Sequence, residues 1–345
     1  MKIHYAFYLP ILLFSLFVSC NNTETDTIKP DVYNENEIIQ RFNFEFTYGE
    51  KKYSDLGILM FPKQYHTNVA TKLIIYCHSG GGFVSNTSSE VETQDYAKYF
   101  VSLGYIVMDV NGIPDEIVKS KKIDGGRTVG NGLTLQEYVA AYNDVISKYK
   151  IDLDHVYIFS NSNGGAIASN IVNLTTIKIK AQAGICPLLA IKENAWFIDS
   201  GKVGNGEFSS LQNRSNIIRL YGMKDAITQE ELNVAKYEED KVGKYDPFEY
   251  LKSSKTGYKT LYKIFQPKDD PKVSYKIALK FADFANRNGT KVFIRSFETG
   301  GHTSEPQTGD VGLYTYKSTN YKLTPTVYEV SKWFEENEGM KTKIF

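Results

Sequence analysis

The sequence predicts an α/β fold: a mostly parallel central sheet with helices on both faces and a lid-like insertion late in the chain. Short, continuous apolar runs such as Leu73–Cys77 and Val156–Phe159 read as strands buried on both faces. Amphipathic stretches of helical period alternate with them, the pattern of a parallel sheet joined by crossover helices. The chain has 345 residues, 42% of them hydrophobic, enough for one large domain and too apolar for a disordered chain. Its 40 Lys+Arg and 40 Asp+Glu cancel, so no electrostatic reason exists to expect nucleic acid or an anionic membrane surface as the main partner.

Taken in order, residues 1–19 open with a short basic segment, Met1-Lys2-Ile3-His4, followed by an apolar run from Tyr5 to Val18. The run is short for a bilayer of ~30 Å and reads as an export signal. Phe17-Val18-Ser19-Cys20 resembles a bacterial lipoprotein cleavage box, which implies cleavage before Cys20 and its lipidation. Residues 20–37 are polar and read as a flexible tether. That organisation implies a cell-envelope protein held to a bacterial membrane through lipid on Cys20, with a folded domain over 38–345. Cys77 and Cys186 sit in apolar runs and read as buried thiols. Cys and His do not cluster along the chain, so no metal site is expected.

Phe42–Phe46 and Leu56–Leu59, with Tyr48-Gly49-Glu50-Lys51 between them, predict a hairpin. Next come a strand at 73–77, a helix over 90–103, a strand at 105–110 and a long helix over 133–149. A strand at 156–159, a helix over 166–172 and a strand at 179–185 follow. Residues 190–257 exceed what a plain crossover needs and are read as the lid or pocket wall, holding Trp196 and Phe197. A strand opening the segment 261–273, a helix over 275–288 and a last strand over 291–297 complete the pattern. Ligands of such sheets bind where the strands end, so chemistry is sought in those turns.

The turn after 156–159 reads Ser160-Asn161-Ser162-Asn163-Gly164-Gly165, a small-x-Ser-x-Gly step from strand to helix. A sharp turn there needs small residues on either side of the nucleophile and aims Ser162 at a helix N-terminus. This resembles the nucleophile elbow of the α/β-hydrolase family, with Ser160 where that family usually has Gly. His78-Ser79-Gly80-Gly81-Gly82-Phe83 resembles the family's His-Gly-Gly-Gly loop, lengthened by Ser79. The resemblance implies oxyanion-hole N–H donors from Gly80 or Gly81 and from Asn163, with His78 as a loop brace. Asp270 followed by Val273 resembles the family's Asp-x-x-Val acid turn, and Gly300-Gly301-His302 its base loop. The order Ser162, Asp270, His302 is the family order. Asp225, after Tyr221-Gly222-Met223-Lys224, and Asp269 are alternative acids. Arg127 reads as a solvated loop arginine, with contact to an anionic substrate as the other reading, and Lys236–Lys244 as a solvated helix face.

The resemblance runs over most of residues 38–338 and implies a serine hydrolase using no cofactor. Carboxylic-ester hydrolysis, including deacylation of carbohydrate, is the expected reaction on a small-molecule or carbohydrate ester. A prolyl-oligopeptidase-like peptidase is the alternative, set second because the chain lacks the long propeller-like repeats that gate such enzymes. A non-catalytic, hydrolase-fold binding lipoprotein is a third reading. Acyl group, leaving group and oligomeric state are not legible.

Overall fold

The computed structural model of the chain describes residues 37–120, 126–191, 193–194, 243–302, 312–316, 319–323 and 325–339. The export signal, Cys20 and the tether up to residue 36 lie outside the described residues. So do Trp196, Phe197 and Asp225 of the expected lid, and Lys236–Lys241.

Strands β1 (Glu37–Tyr48) and β2 (Lys51–Pro62) form the expected hairpin, extended in both directions. Phe42, Phe44 and Phe46 are buried while Asn43 and Glu45 face water, the period of two that one covered face requires. Phe42 pairs with Gly57, where a Cβ would come within 2.3 Å of the ring, so the glycine makes room for the aromatic. The alternation that follows is β3 (Thr71–Cys77), α1 (Glu90–Thr93), α2 (Asp95–Ser102), β4 (Ile106–Val110), α3 (Asp115–Ser120), α4 (Gly132–Lys148), β5 (Ile151–Asn161), α5 (Gly164–Leu174) and β6 (Ala181–Ile185). A 3-10 turn (Gly243–Tyr245) then leads into α6 (Pro247–Ser253), β7 (Leu261–Pro267), α7 (Tyr275–Arg287) and β8 (Val292–Phe297). The small hairpin of β9 (Gly312–Tyr316) and β10 (Thr319–Leu323) precedes α8 (Pro325–Asn337).

The eight-stranded sheet has the order β1-β2-β4-β3-β5-β6-β7-β8. Only the pairs of β2 with β1 and β4 are antiparallel. The remaining neighbours are parallel, so β3 to β8 all end on one edge. Side chains of β3 divide between two cores: Leu73, Ile75 and Cys77 join α4, α5 and α7 through Val145, Ile167 and Phe281, while Ile74 and Tyr76 join α2 and α8 through Phe100 and Phe334. Burial on both faces accounts for the uniformly apolar strands.

Two expectations are corrected. The single helix expected over 90–103 is broken at Gln94, which is extended at φ −95°, ψ 122°. Val91 and Phe100 are both buried, yet nine residues apart on one continuous helix they would face opposite sides. The break re-phases the second helix. Arg127 is not a solvated loop arginine, its side chain being only 16% exposed. Its guanidinium donates to Asn111 Oδ1 at 2.9 Å, the Ile113 carbonyl at 3.0 Å and Asp115 Oδ1 at 2.9 Å. The next turn is pinned to the sheet edge, with Gly126 N–H donating to the Gly80 carbonyl at 2.5 Å and Thr128 Oγ1 to the His78 carbonyl at 2.8 Å.

Asp55 anchors the far side of this staple, accepting from Asn111 Nδ2 at 3.1 Å and from Leu56 N–H at 2.8 Å. Burial pushes its carboxyl up to about 6 from 3.8. The folded state therefore keeps a proton that the unfolded chain has lost between about pH 4 and 6, and stability falls as pH rises through that window. Asp55→Asn retains an acceptor and removes the buried charge. It is expected to be more stable than wild type at pH 8, by no more than about 3 kcal/mol, with the difference vanishing at pH 4. Urea denaturation at the two pH values checks this; equal destabilisation at both would reject it.

Candidate active site

The site is assembled on the edge where the parallel strands end. Ser162 follows β5 directly and has a left-handed backbone, φ +50°. Its N–H donates to the Ile185 carbonyl at 2.9 Å, and its own carbonyl accepts from Gly165 N–H at 2.9 Å and Leu188 N–H at 2.8 Å. These bonds hold a conformation that a residue with a Cβ rarely adopts. The small-residue requirement has direct steric causes: a Cβ on Gly164 would lie 2.0 Å from the Cys77 carbonyl oxygen, and one on Gly165 would lie 2.4 Å from Pro187. Ser160, the departure from the usual Gly, is accommodated across the sheet. It pairs with Gly184, where a Cβ would approach its hydroxyl to 3.1 Å.

His302 Nε2 lies 2.8 Å from Ser162 Oγ. On its other side, His302 Nδ1 lies 3.0 and 2.9 Å from the carboxylate oxygens of Asp270. The Asp270 side chain is fully buried and that of His302 is 17% exposed. Asp270 Oδ1 also accepts from the N–H groups of Lys272 at 2.8 Å and Val273 at 3.0 Å, and Oδ2 from Gln266 Nε2 at 2.8 Å. This gives the Asp-x-x-Val signal a physical cause: the turn folds its own N–H donors onto the carboxylate, and buried Val273 anchors it. Asp269 does not reach the ring. It accepts from Gly301 N–H at 2.9 Å and so holds the backbone of the histidine loop, where Gly300 and Gly301 have φ of 154° and 59°. Of the three candidate acids, the structure brings Asp270 to the imidazole, leaves Asp269 on the loop, and does not describe Asp225.

Gly80 lies against Asn163, since a Cβ on Gly80 would be 2.5 Å from Asn163 Nδ2. The loop turns through a Gly82 N–H bond to the Ser79 carbonyl at 3.0 Å, and Gly81, between them, is exposed with open space around it. Thus Gly80, Gly81, Asn163 and Ser162 border one corner, at the N-terminal end of α5, where free N–H groups and the helix dipole favour negative charge. His78 is fully buried, with Nδ1 2.8 Å from the Ser79 carbonyl and Nε2 3.2 Å from that of Asn111. Burial holds its pKa below the usual value. It is a brace.

Sequence reasoning missed Gln266 and the surroundings of Cys186. Gln266 is a buried polar residue inside an apolar strand, four positions before Asp270, and that was its signal. Cys186 was read only as a buried thiol, yet it has φ +46° and its Sγ, an Asp270 oxygen and a His302 ring nitrogen all lie within 4.8 Å of one another. Burial, then Asp270, push its thiol pKa well up, which keeps it protonated. Among the described residues these three have ligating atoms close enough for a cation, but any cation there would compete with the His302–Asp270 hydrogen bond.

The tight packing at the elbow predicts that Gly164→Ala lowers stability by about 3 kcal/mol, whereas Gly81→Ala, with open space at its Cβ, changes it by less than about 0.5 kcal/mol. Urea denaturation of both variants checks this; equal effects would contradict the steric reading.

No protein-family model and no curated protein matches the chain. Solved structures do. An acylaminoacyl peptidase in complex with Z-Gly-Gly-Phe-chloromethyl ketone superposes with a TM-score of 0.60 at 15% identity, over 90% of this chain and 43% of that one. A puromycin-hydrolyzing peptidase from Mycobacterium tuberculosis gives 0.60 at 14% identity, over 90% and 40%. Oligopeptidase B from Leishmania major gives 0.51 at 12%, over 76% and 33%. The chain spans less than half the length of each. With sequences this far apart the likeness is one of architecture, and the mostly parallel eight-stranded sheet with its helices fits it: the chain has the α/β-hydrolase fold.

Proposed function

We propose that the protein is a serine hydrolase that cleaves amide bonds in short peptides or N-acylated amino compounds. The observation that carries the hydrolase reading is the unbroken chain of hydrogen bonds from Ser162 Oγ through His302 to Asp270. A serine hydroxyl becomes a useful nucleophile when a base accepts its proton as it attacks. His302 Nε2 is positioned to take that proton, and Asp270 to fix the tautomer and stabilise the imidazolium. The carbonyl oxygen of the substrate becomes an oxyanion, for which N–H groups of Gly80 or Gly81 and of Asn163 are the donors we propose. Collapse of that intermediate breaks the bond to the leaving group, which leaves with the proton from Nε2. Water then repeats the sequence on the acyl-serine.

The ester preference drawn from the sequence finds no support. The peptidase reading stood second for want of propeller-like repeats, but the peptidases that share the fold match this chain over less than half their own length. The names of those structures favour an amide substrate. Export and lipid attachment at Cys20, with the protein in the bacterial cell envelope, are part of the same proposal and are supported by the Phe17–Cys20 box.

A fluorophosphonate probe is expected to label the wild type and not Ser162→Ala, and His302→Ala should lower turnover by at least about 1,000-fold. A panel of peptidyl anilides, with free and acylated N-termini, should be cleaved alongside matched esters. Turnover of esters alone would restore the ester reading, and an unlabelled, well-folded wild type would leave a binding protein.

A further inference from the structure

We propose that Glu90 is a positioning residue that clamps both halves of the oxyanion cradle, an inference that rests on the serine-hydrolase reading. The cradle is built from two separate pieces of chain, the loop 78–83 after β3 and the elbow after β5. Its donors must hold their places to a fraction of an ångström for the developing charge to be stabilised. Glu90 stands at the start of α1, outside every motif recognised in the sequence, and it bonds the loop directly and reaches the end of β5 through Tyr76.

On the loop side, Ser79 Oγ donates to Glu90 Oε2 at 3.2 Å, and Glu90 N–H donates to the Phe83 carbonyl at 3.3 Å. Gly82 passes so close that a Cβ there would lie 2.3 Å from Glu90 Oε2 and 2.5 Å from His78 Nδ1. On the elbow side, the buried Tyr76 hydroxyl donates to Glu90 Oε1 at 2.7 Å and accepts from Asn161 Nδ2 at 3.0 Å. Asn161 is bonded directly to Ser162. Tyr96 donates to the same Tyr76 oxygen. A phenol has one proton to give and two lone pairs to fill, so Tyr76 is saturated and the direction of every bond is fixed. Burial and the nearby Tyr96 and Glu90 raise its pKa well above the usual value, which keeps that proton in place. One carboxylate thus sets the distance between the glycine loop and the nucleophile's own strand end.

The test uses the full-length protein and counts active sites by fluorophosphonate titration. Glu90→Ala is expected to lower kcat per titrated site on a peptidyl anilide by about 10- to 100-fold with KM within about threefold. Affinity for a peptide aldehyde, whose adduct places an oxyanion in the cradle, should fall in parallel, while affinity for the cleaved acid product should not. Glu90→Gln keeps an acceptor for Tyr76 and should recover most of the loss. Tyr76→Phe, which cuts only the elbow side, should lower kcat by itself and add little to Glu90→Ala; it also serves if Glu90→Ala does not fold. A kcat per titrated site within twofold of wild type in both single variants, or equal losses of substrate and aldehyde affinity, overturns the proposal. A wild type that is neither labelled nor active instead overturns the hydrolase reading, so the two failures are distinct.

Discussion

The left-handed backbone at Ser162 is the constraint on which the rest of the site depends. That region costs of the order of 1–3 kcal/mol for a residue with a Cβ and persists only where surrounding structure over-determines it. Here the turn after β6 grips the residue from both ends, the Ile185 carbonyl taking its N–H and Leu188 N–H meeting its carbonyl. Close packing fixes the residues that follow, since a Cβ on Gly164 or Gly165 would run into Cys77 or Pro187. The two glycines, Pro187 and the strained Cys186 follow from one requirement: to hold a hydroxyl off the end of a buried strand at the mouth of a helix.

Parallel pairing then delivers the partners. β5 lies between β3 and β6, with Ser160 beside Cys77 on one side and Gly184 on the other. The glycine loop therefore emerges next to the elbow. β7 and β8 follow in the same direction, so the Asp270 turn and the His302 loop open onto the same edge. Groups more than a hundred residues apart meet because their strands all end on one side, and no long reach by any side chain is needed.

Strand-to-helix alternation, the elbow, the glycine loop and the pairing of Asp270 with His302 were legible because each is written in neighbouring residues: a period, a small-residue requirement, a turn that caps its own carboxylate. Arg127 and Glu90 were not, because their meaning lies in partners from other elements. A glycine-rich loop around Arg127 looks solvated until Asn111, Ile113 and Asp115 are seen beneath it. The break at Gln94 was hidden in a stretch of helical composition and became visible only through which side chains had to be buried. The choice between ester and amide was illegible for a different reason. The triad chemistry is common to both, and discrimination belongs to the walls around it.

Asp269 and Asp270 show how finely such a site divides labour. They are the same residue type, adjacent in sequence, and composition cannot separate them. The turn does, because its N–H groups at Lys272 and Val273 converge on the second carboxylate and hold it inward, against Gln266 and the imidazole. The first is left to point along the rim, where it takes the Gly301 N–H. One carboxylate orients the ring and its neighbour orients the loop that carries the ring. The flexible glycines before His302 are thereby tied down from the same turn that supplies the acid, and the base is fixed in both position and tautomer by two consecutive residues.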